Sequence, residues 1–428
     1  MQAILRRAPP PIFAAYAIFA AFGTYFCMYA FRKPFAVARF EGQLELPGLG
    51  SVDYKIVLIV LQLLGYASSK FVGIKVVSEL PAERRPLAIV LAIAFAQLAL
   101  VGFWLAPKPW AALFLLANGL PLGMVWGLVF GFLEGRRQTE LLGAGLSASY
   151  IVASGFVKSV GKAVLDAGIS EAAMPMTVGF VFFPLLLGFV ALLRVLPPPT
   201  PEDEASRIRR RPMNGPERRS FFIAFMPGLL LLTFLYFFLT AYRDFRDNFA
   251  RELWNGLGLG EEPAIYALSE LPIAFGVLLI LAVFSWVKDN RRALLGIHVI
   301  MGLGGLLIGL LTFGFQAGLV SPTVWMIGVG FGLYVAYVPF GCVLFDRLIA
   351  AMGTVATAGF MIYVTDAVGY LGSITLYGVK TFGSPELSWV SFFAGFSYLT
   401  SAVCTTCFVG ALIYFERRAH EASETQPR

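Results

Sequence analysis

The sequence has few charged side chains and few of the residues that most often carry catalysis. Only 14% of its 428 residues are Asp, Glu, Lys or Arg, whereas a soluble globular protein carries about 25%. His298 and His420 are the two histidines of the chain. This composition excludes a soluble globular enzyme and a disordered chain, and it leaves little room for chemistry based on histidine.

Cysteine is also scarce, and its positions argue against disulfides and metal sites. All four cysteines lie inside apolar runs, so we expect no disulfide framework. They are Cys27, Cys342, Cys404 and Cys407. The pair Cys404 and Cys407 forms a C-x-x-C without a nearby histidine, which helix packing explains better than metal binding or redox chemistry. With no metal-ligand cluster and no Ser/His/Asp set in the sequence, we expect no metal, no cofactor and no enzymatic activity.

Long apolar runs dominate what is present. The chain is 58% hydrophobic with a mean hydropathy of +0.76, and a helix needs about 20 apolar residues to span a membrane. The runs are too long and too little alternated for the strands of a membrane barrel. They predict an all-α polytopic membrane protein with twelve transmembrane helices at 11–38, 54–78, 86–106, 110–132, 142–165, 173–196, 219–246, 264–287, 292–315, 323–345, 354–379 and 389–415.

The distribution of basic residues predicts the orientation of these spans. With the N-terminus in the cytoplasm, nineteen Lys and Arg residues fall in inside segments and five in outside loops, and this bias places both termini in the cytoplasm. It also explains the net charge of +7 without a nucleic-acid partner. We therefore expect a multi-pass protein of the cytoplasmic (inner) membrane.

A central polar segment divides the chain into two predicted halves. Residues 197–218 (PPPTPEDEASRIRRRPMNGPER) are rich in proline and charge, which is typical of a cytoplasmic linker. The halves are then 1–196 and 219–428, the second with a short cytoplasmic tail. The basic run Arg207–Arg211 is explained by an inside-anchor role, with contact to anionic lipid as the alternative.

The two halves contain an internal repeat. TYFCMYAFRKPF at 24–35 corresponds to LYFFLTAYRDFR at 235–246 with an offset of 211 residues, and the same offset pairs Gly119 with Gly330 and Arg136 with Arg347. Duplicated six-helix halves related by an axis along the membrane normal are typical of the major facilitator fold, which binds its substrate near mid-membrane. We predict that fold here.

Two arginines placed by the repeat are the strongest site candidates. Tyr25, Tyr29 and Arg32 are spaced for one helix face, and Tyr236 and Arg243 repeat the pattern. Charges at membrane depth cost several kcal/mol unless they serve a partner or a wet cavity. The repeat predicts two guanidinium groups that approach one anion, with tyrosine hydroxyls as further donors. The alternative is that both arginines reach the outer headgroups.

Other ionisable residues inside predicted spans are weaker candidates. Lys158 would add a positive charge to the cavity. Asp366 falls near mid-membrane and would pair with Lys158 or carry a coupling proton. Lys33, Lys70 and Glu270 are further ionisable residues within predicted spans, and Glu270 would pair with an arginine.

Several segments resemble a known branch of the major facilitator superfamily. FGTYFCMYAFRKPFA at 22–36 resembles the first helix of the organophosphate:phosphate antiporters, which include glycerol-3-phosphate and hexose-phosphate transporters. LGYASSKFVGIKVVSE at 64–79 is similar to the second-helix signature of this branch. IYALSE at 265–270 and GTVATAGFMIYVTDAVGYLGS at 353–373 are similar to its eighth and eleventh helices.

The resemblance implies a twelve-helix carrier in which Arg32 and Arg243 bind phosphate. It adds Lys70 and Glu270 to the charge network around the substrate. The fifth-helix histidine of the branch has no counterpart in this chain, where the region reads SYIVAS at 149–154.

The sequence thus predicts a secondary transporter of a small anionic organic solute. The resemblance implies that the solute is phosphorylated and exchanges with phosphate. Proton-coupled symport of an organic anion and a non-transporting membrane sensor of the same fold are the alternatives. The expected partners are the anionic solute and membrane lipid, with the protein a monomer.

Overall fold

The chain is almost entirely helical in the part that the structure describes. The structure, a computed structural model, describes residues 2–48, 50–136, 138–200, 203, 215–284, 286–353 and 358–424. Most of the predicted linker 197–218, with the basic run Arg207–Arg211, lies outside these residues. So does the start of the predicted eleventh span, 354–357.

The helices follow one another with short connections. The first seven are α1 (Gln2–Arg7), α2 (Pro10–Tyr29), α3 (Tyr54–Glu79), α4 (Arg85–Leu105), α5 (Ala111–Phe130), α6 (Thr139–Asp166) and α7 (Met174–Arg194). The others are α8 (Gly215–Ala224), α9 (Met226–Asn248), α10 (Ala250–Gly256), α11 (Ala264–Leu268), α12 (Glu270–Phe284), α13 (Asn290–Gln316), α14 (Pro322–Cys342), α15 (Leu344–Met352), α16 (Ala358–Gly378) and α17 (Trp389–Glu424).

The helices confirm the predicted fold class. Among the described residues, ten helical segments are long and apolar enough to cross a membrane. Each coincides with a predicted span, and α3 and α16 occupy the two remaining predicted spans. The protein is a multi-pass α-helical membrane protein.

The predicted end of the first span was wrong. That span was expected to continue to residue 38, but α2 ends at Tyr29. A turn and a short 3-10 helix at Pro34–Val37 follow, because Pro34 has no N–H to donate within a continued α-helix. Arg32 therefore lies beyond the end of α2 and does not share a regular helix with Tyr25 and Tyr29.

Two other predicted spans each contain two helices, and one feature between helices was not predicted. The span 219–246 contains α8 and α9, and the span 264–287 contains α11 and α12, with a single residue between the helices of each pair. A short antiparallel hairpin, β1 (Gln43–Leu46) and β2 (Gly50–Asp53), lies between α2 and α3, where no strand was expected. Its four-residue strands are too short to show a pattern in a sequence dominated by membrane helices.

The chain forms two compact units, each described by itself. The first unit comprises Met1–Ala205, Asp247–Leu271 and Tyr377–Glu386. In this unit α3 packs against α5, and α2 packs against α6 and α7. A Cβ at Gly119 of α5 would lie 2.8 Å from the Tyr66 backbone nitrogen, so the close approach of α3 and α5 requires glycine there.

The second unit comprises Ser206–Arg246, Pro272–Leu376 and Leu387–Arg428. In it α13 packs against α14 and α17. The glycine-rich stretches of α13 and α14 meet at Gly304 and Gly332, as their sequence suggested. A Cβ on Gly332 would lie 2.6 Å from the Gly304 carbonyl oxygen, which no larger residue tolerates without a shift of the helices.

Candidate functional site

Arg32, in the first unit, lies against an aromatic ring. Its side chain is buried, and its Cζ atom is 3.7 Å from the centroid of the Tyr66 ring on α3. This geometry is a close cation–π contact, in which the face of the guanidinium covers the ring. The Arg32 carbonyl oxygen accepts a 3.1 Å hydrogen bond from Gln62, one turn before Tyr66, which fixes the turn that carries the arginine.

Tyr25 and Tyr29 of α2 belong to the same cluster. The hydroxyl groups of Tyr25 and Tyr66 are 3.5 Å apart, and the rings of Tyr25 and Tyr29 meet edge to face with centroids 5.6 Å apart. All three tyrosines are buried. Tyr25 and Tyr29 thus belong to the Arg32 cluster, and Tyr66 connects them to the arginine. The sequence argument did not identify Tyr66.

Lys70 extends this aromatic surface by one turn of α3. Its Nζ atom lies 5.6 Å from the Tyr66 ring centroid and 5.9 Å from the Trp126 ring centroid. Arg32 and Lys70 therefore both lie near the Tyr66 ring, which places two positive charges beside one aromatic side chain.

Lys33 and Lys158 bind one carboxylate in the first unit. Both ammonium groups form ion pairs with Asp247, at the end of α9, and Ser154 donates a further hydrogen bond to the same carboxylate. The lysine side chains are only 3% and 4% exposed. The partner of Lys158 considered from the sequence was Asp366, whereas the structure shows Asp247.

Neighbouring polar groups extend the Asp247 cluster. Lys33 donates a 2.7 Å hydrogen bond to Asn248, and Asn248 donates one of 2.8 Å to the Tyr377 hydroxyl. Glu270, at the start of α12, is buried and lies against Gly155 of α6, three residues before Lys158. Lys158 thus lies on α6, Glu270 packs against that helix, and Lys33 shares the Asp247 carboxylate with Lys158.

Arg243, in the second unit, is held by a carboxylate and a tyrosine. Its guanidinium donates to Asp244 from Nε at 3.0 Å and from Nη2 at 2.7 Å. It also lies over the Tyr337 ring, with 4.5 Å between Cζ and the centroid, and donates to the Tyr337 hydroxyl. Asp244 accepts a 2.8 Å hydrogen bond from Ser373.

Tyr236 connects this arginine to Asp366. The Tyr236 hydroxyl donates a 2.9 Å hydrogen bond to Asp366 on α16. Its ring stacks on the Tyr337 ring with centroids 5.0 Å apart. Asp366 is thus joined to Arg243 through two tyrosines.

The sequence argument missed the residues that contact its candidates. Tyr66, Tyr337 and Asp247 are separated from their partners along the chain, so no local spacing identifies them. Asp247 stands four residues after Arg243, in a charged stretch that is typical of the end of a membrane helix. That position does not indicate an ion pair with Lys33 or Lys158. A tyrosine in an otherwise apolar span was the only sequence signal for Tyr337.

The two arginine clusters share a geometry that suits the binding of anions. In each unit a guanidinium, buried for Arg32 and half-buried for Arg243, lies over a tyrosine ring, which orients its planar fork. Such a fork donates in parallel to two oxygen atoms of a phosphate or carboxylate. Whether both arginines contact one anion stays a prediction.

Solved structures of membrane transporters have the same fold. The chain is similar to a D-xylose–proton symporter, with a TM-score of 0.61 and 14% identity over 94% of this chain and 97% of that chain. It is also similar to a bacterial homologue of the human drug peptide transporters PepT1 and PepT2, with a TM-score of 0.56 and 14% identity over 95% of this chain and 98% of that one.

A human protein adds to this comparison. The human organic anion transporter MFSD10 (TETRAN) is matched with a TM-score of 0.55 and 13% identity, over 94% of this chain and 100% of that one. At these identities the likeness shows the fold alone, and the fold is that of the major facilitator transporters.

Sequence comparison gives the family. No curated protein matches this sequence significantly. The model of the family of unknown function DUF5690 matches residues 34–418. Because this match covers most of the chain, the protein belongs to the DUF5690 family.

Proposed function

We propose that the protein is a secondary transporter that moves a small anionic organic solute across the cytoplasmic membrane by alternating access. In the first unit Arg32 is the anion-binding residue, in the cluster with Tyr25 and Tyr29, and in the second unit Arg243 is, in the cluster with Tyr236. The observation that carries this proposal is an arginine that lies over a tyrosine ring in each unit of a membrane helix bundle, buried in the first unit and half-buried in the second.

The cost of a buried guanidinium supports a binding role. A cation at membrane depth costs several kcal/mol, so such residues persist where they bind a substrate or line a wet path. Arg32 is not at a lipid-facing surface, since its side chain is buried against Tyr66. Headgroup contact, the alternative weighed from the sequence, does not fit a side chain in that position.

The Asp247 cluster supports an anionic solute. Lys33 and Lys158 already share one carboxylate, so their ammonium groups are spaced to hold a single anionic group. A solute anion that binds these lysines would compete with Asp247 and loosen the contact between the turn after α2 and the end of α9. Binding would then favour opening of this part of the first unit.

The preferred solute is a phosphorylated compound that exchanges with inorganic phosphate. The resemblance of 22–36 and 64–79 to the organophosphate:phosphate antiporters supports this choice, whereas the fold shared with solute transporters supports transport in general. Lys70 would add to the positive potential on the Tyr66 face.

The test measures counterflow in proteoliposomes. Uptake of labelled phosphate is compared with and without trapped phosphate, in the wild type and in Arg32→Ala and Arg243→Ala. We expect trapped phosphate to accelerate uptake and each substitution to reduce it at least tenfold, because loss of a charged hydrogen-bond donor removes about 1.5–3 kcal/mol. Arg39→Ala, which removes an exposed arginine of the first unit, is the matched control and should transport like the wild type.

Unchanged uptake by both arginine variants would disprove the arginine sites. Absence of any flux of phosphate, sugar phosphates or carboxylates, with binding retained, would instead favour a sensor.

A second mechanism, proton-coupled symport, is favoured by one contact. Tyr236 donates to Asp366 and stacks on Tyr337, whose hydroxyl accepts from Arg243. A proton on Asp366 would remove the negative charge that accepts from Tyr236, and so would weaken this hydrogen bond and alter the environment of Arg243. In this case an inward proton gradient drives uptake without trapped anion, and Asp366→Asn removes that response while counterflow remains.

A further inference from the structure

A surface cavity lies beside α8, the helix that precedes α9. Its volume is about 660 Å³, and it is lined by Pro216, Arg219, Ser220, Ile223 and Ala224. These residues all belong to the second unit, away from the arginine clusters in sequence. The lining combines three apolar side chains with one guanidinium and one hydroxyl group.

An exposed apolar stripe begins at this cavity. Ile223, Met226, Leu230 and Phe234 are 56%, 42%, 50% and 54% exposed and follow one another at spacings of three or four residues. The α-helical hydrogen bonds continue across the junction of α8 and α9, from Phe225 N–H to the Phe221 carbonyl at 3.2 Å. The four side chains therefore share one helix face.

This stripe identifies the face of α8 and α9 that contacts lipid. Exposed apolar side chains of a membrane-spanning helix lie in the hydrocarbon layer, where they match the acyl chains. The stripe ends at Ile223, and Arg219 lies one helical turn before it on the same face. A guanidinium at the end of an apolar stripe suits the boundary between hydrocarbon and lipid phosphates.

A second arginine approaches the cavity from α17. Nη2 of Arg418 donates a 2.9 Å hydrogen bond to the carbonyl oxygen of Ala224, one of the lining residues. Its guanidinium carbon also lies 6.0 Å from the Phe225 ring centroid. The cavity therefore has one guanidinium in its lining, and a second guanidinium contacts the backbone of a lining residue.

We propose that this cavity binds the headgroup of an anionic phospholipid. The phosphate accepts hydrogen bonds from Arg219 and Ser220, and an acyl chain follows the stripe from Ile223 to Phe234. The positive charge selects an anionic lipid over a zwitterionic one, because each cation near the surface attracts it by about 1 kcal/mol. The apolar stripe selects a lipid over free phosphate, which has no acyl chain to bury.

The experiment uses the full-length protein purified in detergent. Lipid binding is measured by native mass spectrometry, with phosphatidylglycerol, phosphatidylcholine and inorganic phosphate added in separate series. The variants are Arg219→Gln, Arg219→Lys and Arg292→Gln. Arg292 is an exposed arginine in the first turn of α13 and serves as the matched control.

We expect the wild type to retain phosphatidylglycerol better than phosphatidylcholine. Arg219→Gln should weaken phosphatidylglycerol binding about fivefold, whereas Arg219→Lys and Arg292→Gln should stay close to the wild type. Equal binding of the two lipids, or unchanged binding in Arg219→Gln, would overturn the proposal. Displacement of the lipid by inorganic phosphate would identify a phosphate site and overturn the assignment to lipid.

A second measurement guards against loss of folding in Arg219→Gln. Ser220→Ala removes only one hydroxyl donor, so the helix should stay intact while phosphatidylglycerol binding falls. Full binding in Ser220→Ala together with loss of thermal stability in Arg219→Gln would assign Arg219 to folding and contradict the proposed site.

Discussion

The guanidinium of Arg32 lies over the ring of Tyr66, with 3.7 Å between Cζ and the ring centroid. Arg243 and Tyr337 form the corresponding contact in the second unit at 4.5 Å. The aromatic partners come from different positions in the two halves, since Tyr66 is on α3 and Tyr337 on α14. The repeated arginines thus have the same type of support from non-equivalent helices.

Removal of the Tyr66 ring should weaken binding of the anion. Tyr66→Leu removes the cation–π contact with Arg32, which is worth about 0.5–2 kcal/mol, so affinity should fall by about twofold to thirtyfold. The affinity is measured from the thermal shift of the purified protein on addition of phosphate or sugar phosphates. Tyr66→Phe keeps the ring and is the control, with affinity close to the wild type. Equal loss in both variants would assign the effect to the hydroxyl group.

Neutralisation of Asp247 should destabilise the folded protein. Asp247→Asn leaves the ammonium groups of Lys33 and Lys158 buried without their carboxylate, and breaking such a buried pair costs about 3–5 kcal/mol. Adding Lys158→Met should recover part of that loss, because one buried charge is removed. The melting temperatures of Asp247→Asn, Lys158→Met and the double variant in detergent, each compared with the wild type, form a double-mutant cycle.

The matched control for this cycle is a more exposed ion pair on α6, the helix that carries Lys158. Lys162 and Asp166 are 2.5 Å apart, and Asp166 is 47% exposed. Lys162→Met should change stability by less than about 0.5 kcal/mol. A cycle in which Asp247→Asn and Lys158→Met are simply additive would contradict the coupling.

Close packing of α13 and α14 should make Gly332 intolerant of a side chain. Gly332→Ala places a Cβ 2.6 Å from the Gly304 carbonyl oxygen, and the required helix shift should cost about 1–3 kcal/mol. Gly341→Ala is the control on the same helix, since a Cβ there meets no atom within 4 Å. It should be neutral or stabilising by up to about 1 kcal/mol, because alanine favours helix more than glycine does. An equal decrease in the melting temperatures of Gly332→Ala and Gly341→Ala would contradict the packing argument.

The predicted orientation can be tested by labelling. The four native cysteines are buried, so background reaction with maleimide should be low. Gly48→Cys in the hairpin connection should react with a membrane-impermeant maleimide in intact cells, and His420→Cys should react only after the membrane is opened. The opposite pattern would reverse the proposed topology.

The sequence by itself determined the class of the protein and the candidates for its site. Long apolar runs predict membrane helices because the energy of burying each segment in lipid depends on that segment alone. The same local reasoning identified Arg32, Arg243 and Lys158, since a charge inside an apolar run is visible without a structure. It did not locate the end of α2, where Pro34 interrupts an otherwise apolar stretch.

Only the tertiary structure decided which residues contact these charges. Tyr66, Tyr337 and Asp247 reach their partners because helices distant in sequence pack together, and no local periodicity carries that information. Lys158 illustrates this, since the sequence argument paired it with Asp366, whereas packing placed Asp247 beside it. The energy of a buried charge depends on these neighbours, and so the tertiary structure determines what each charge in the membrane can do.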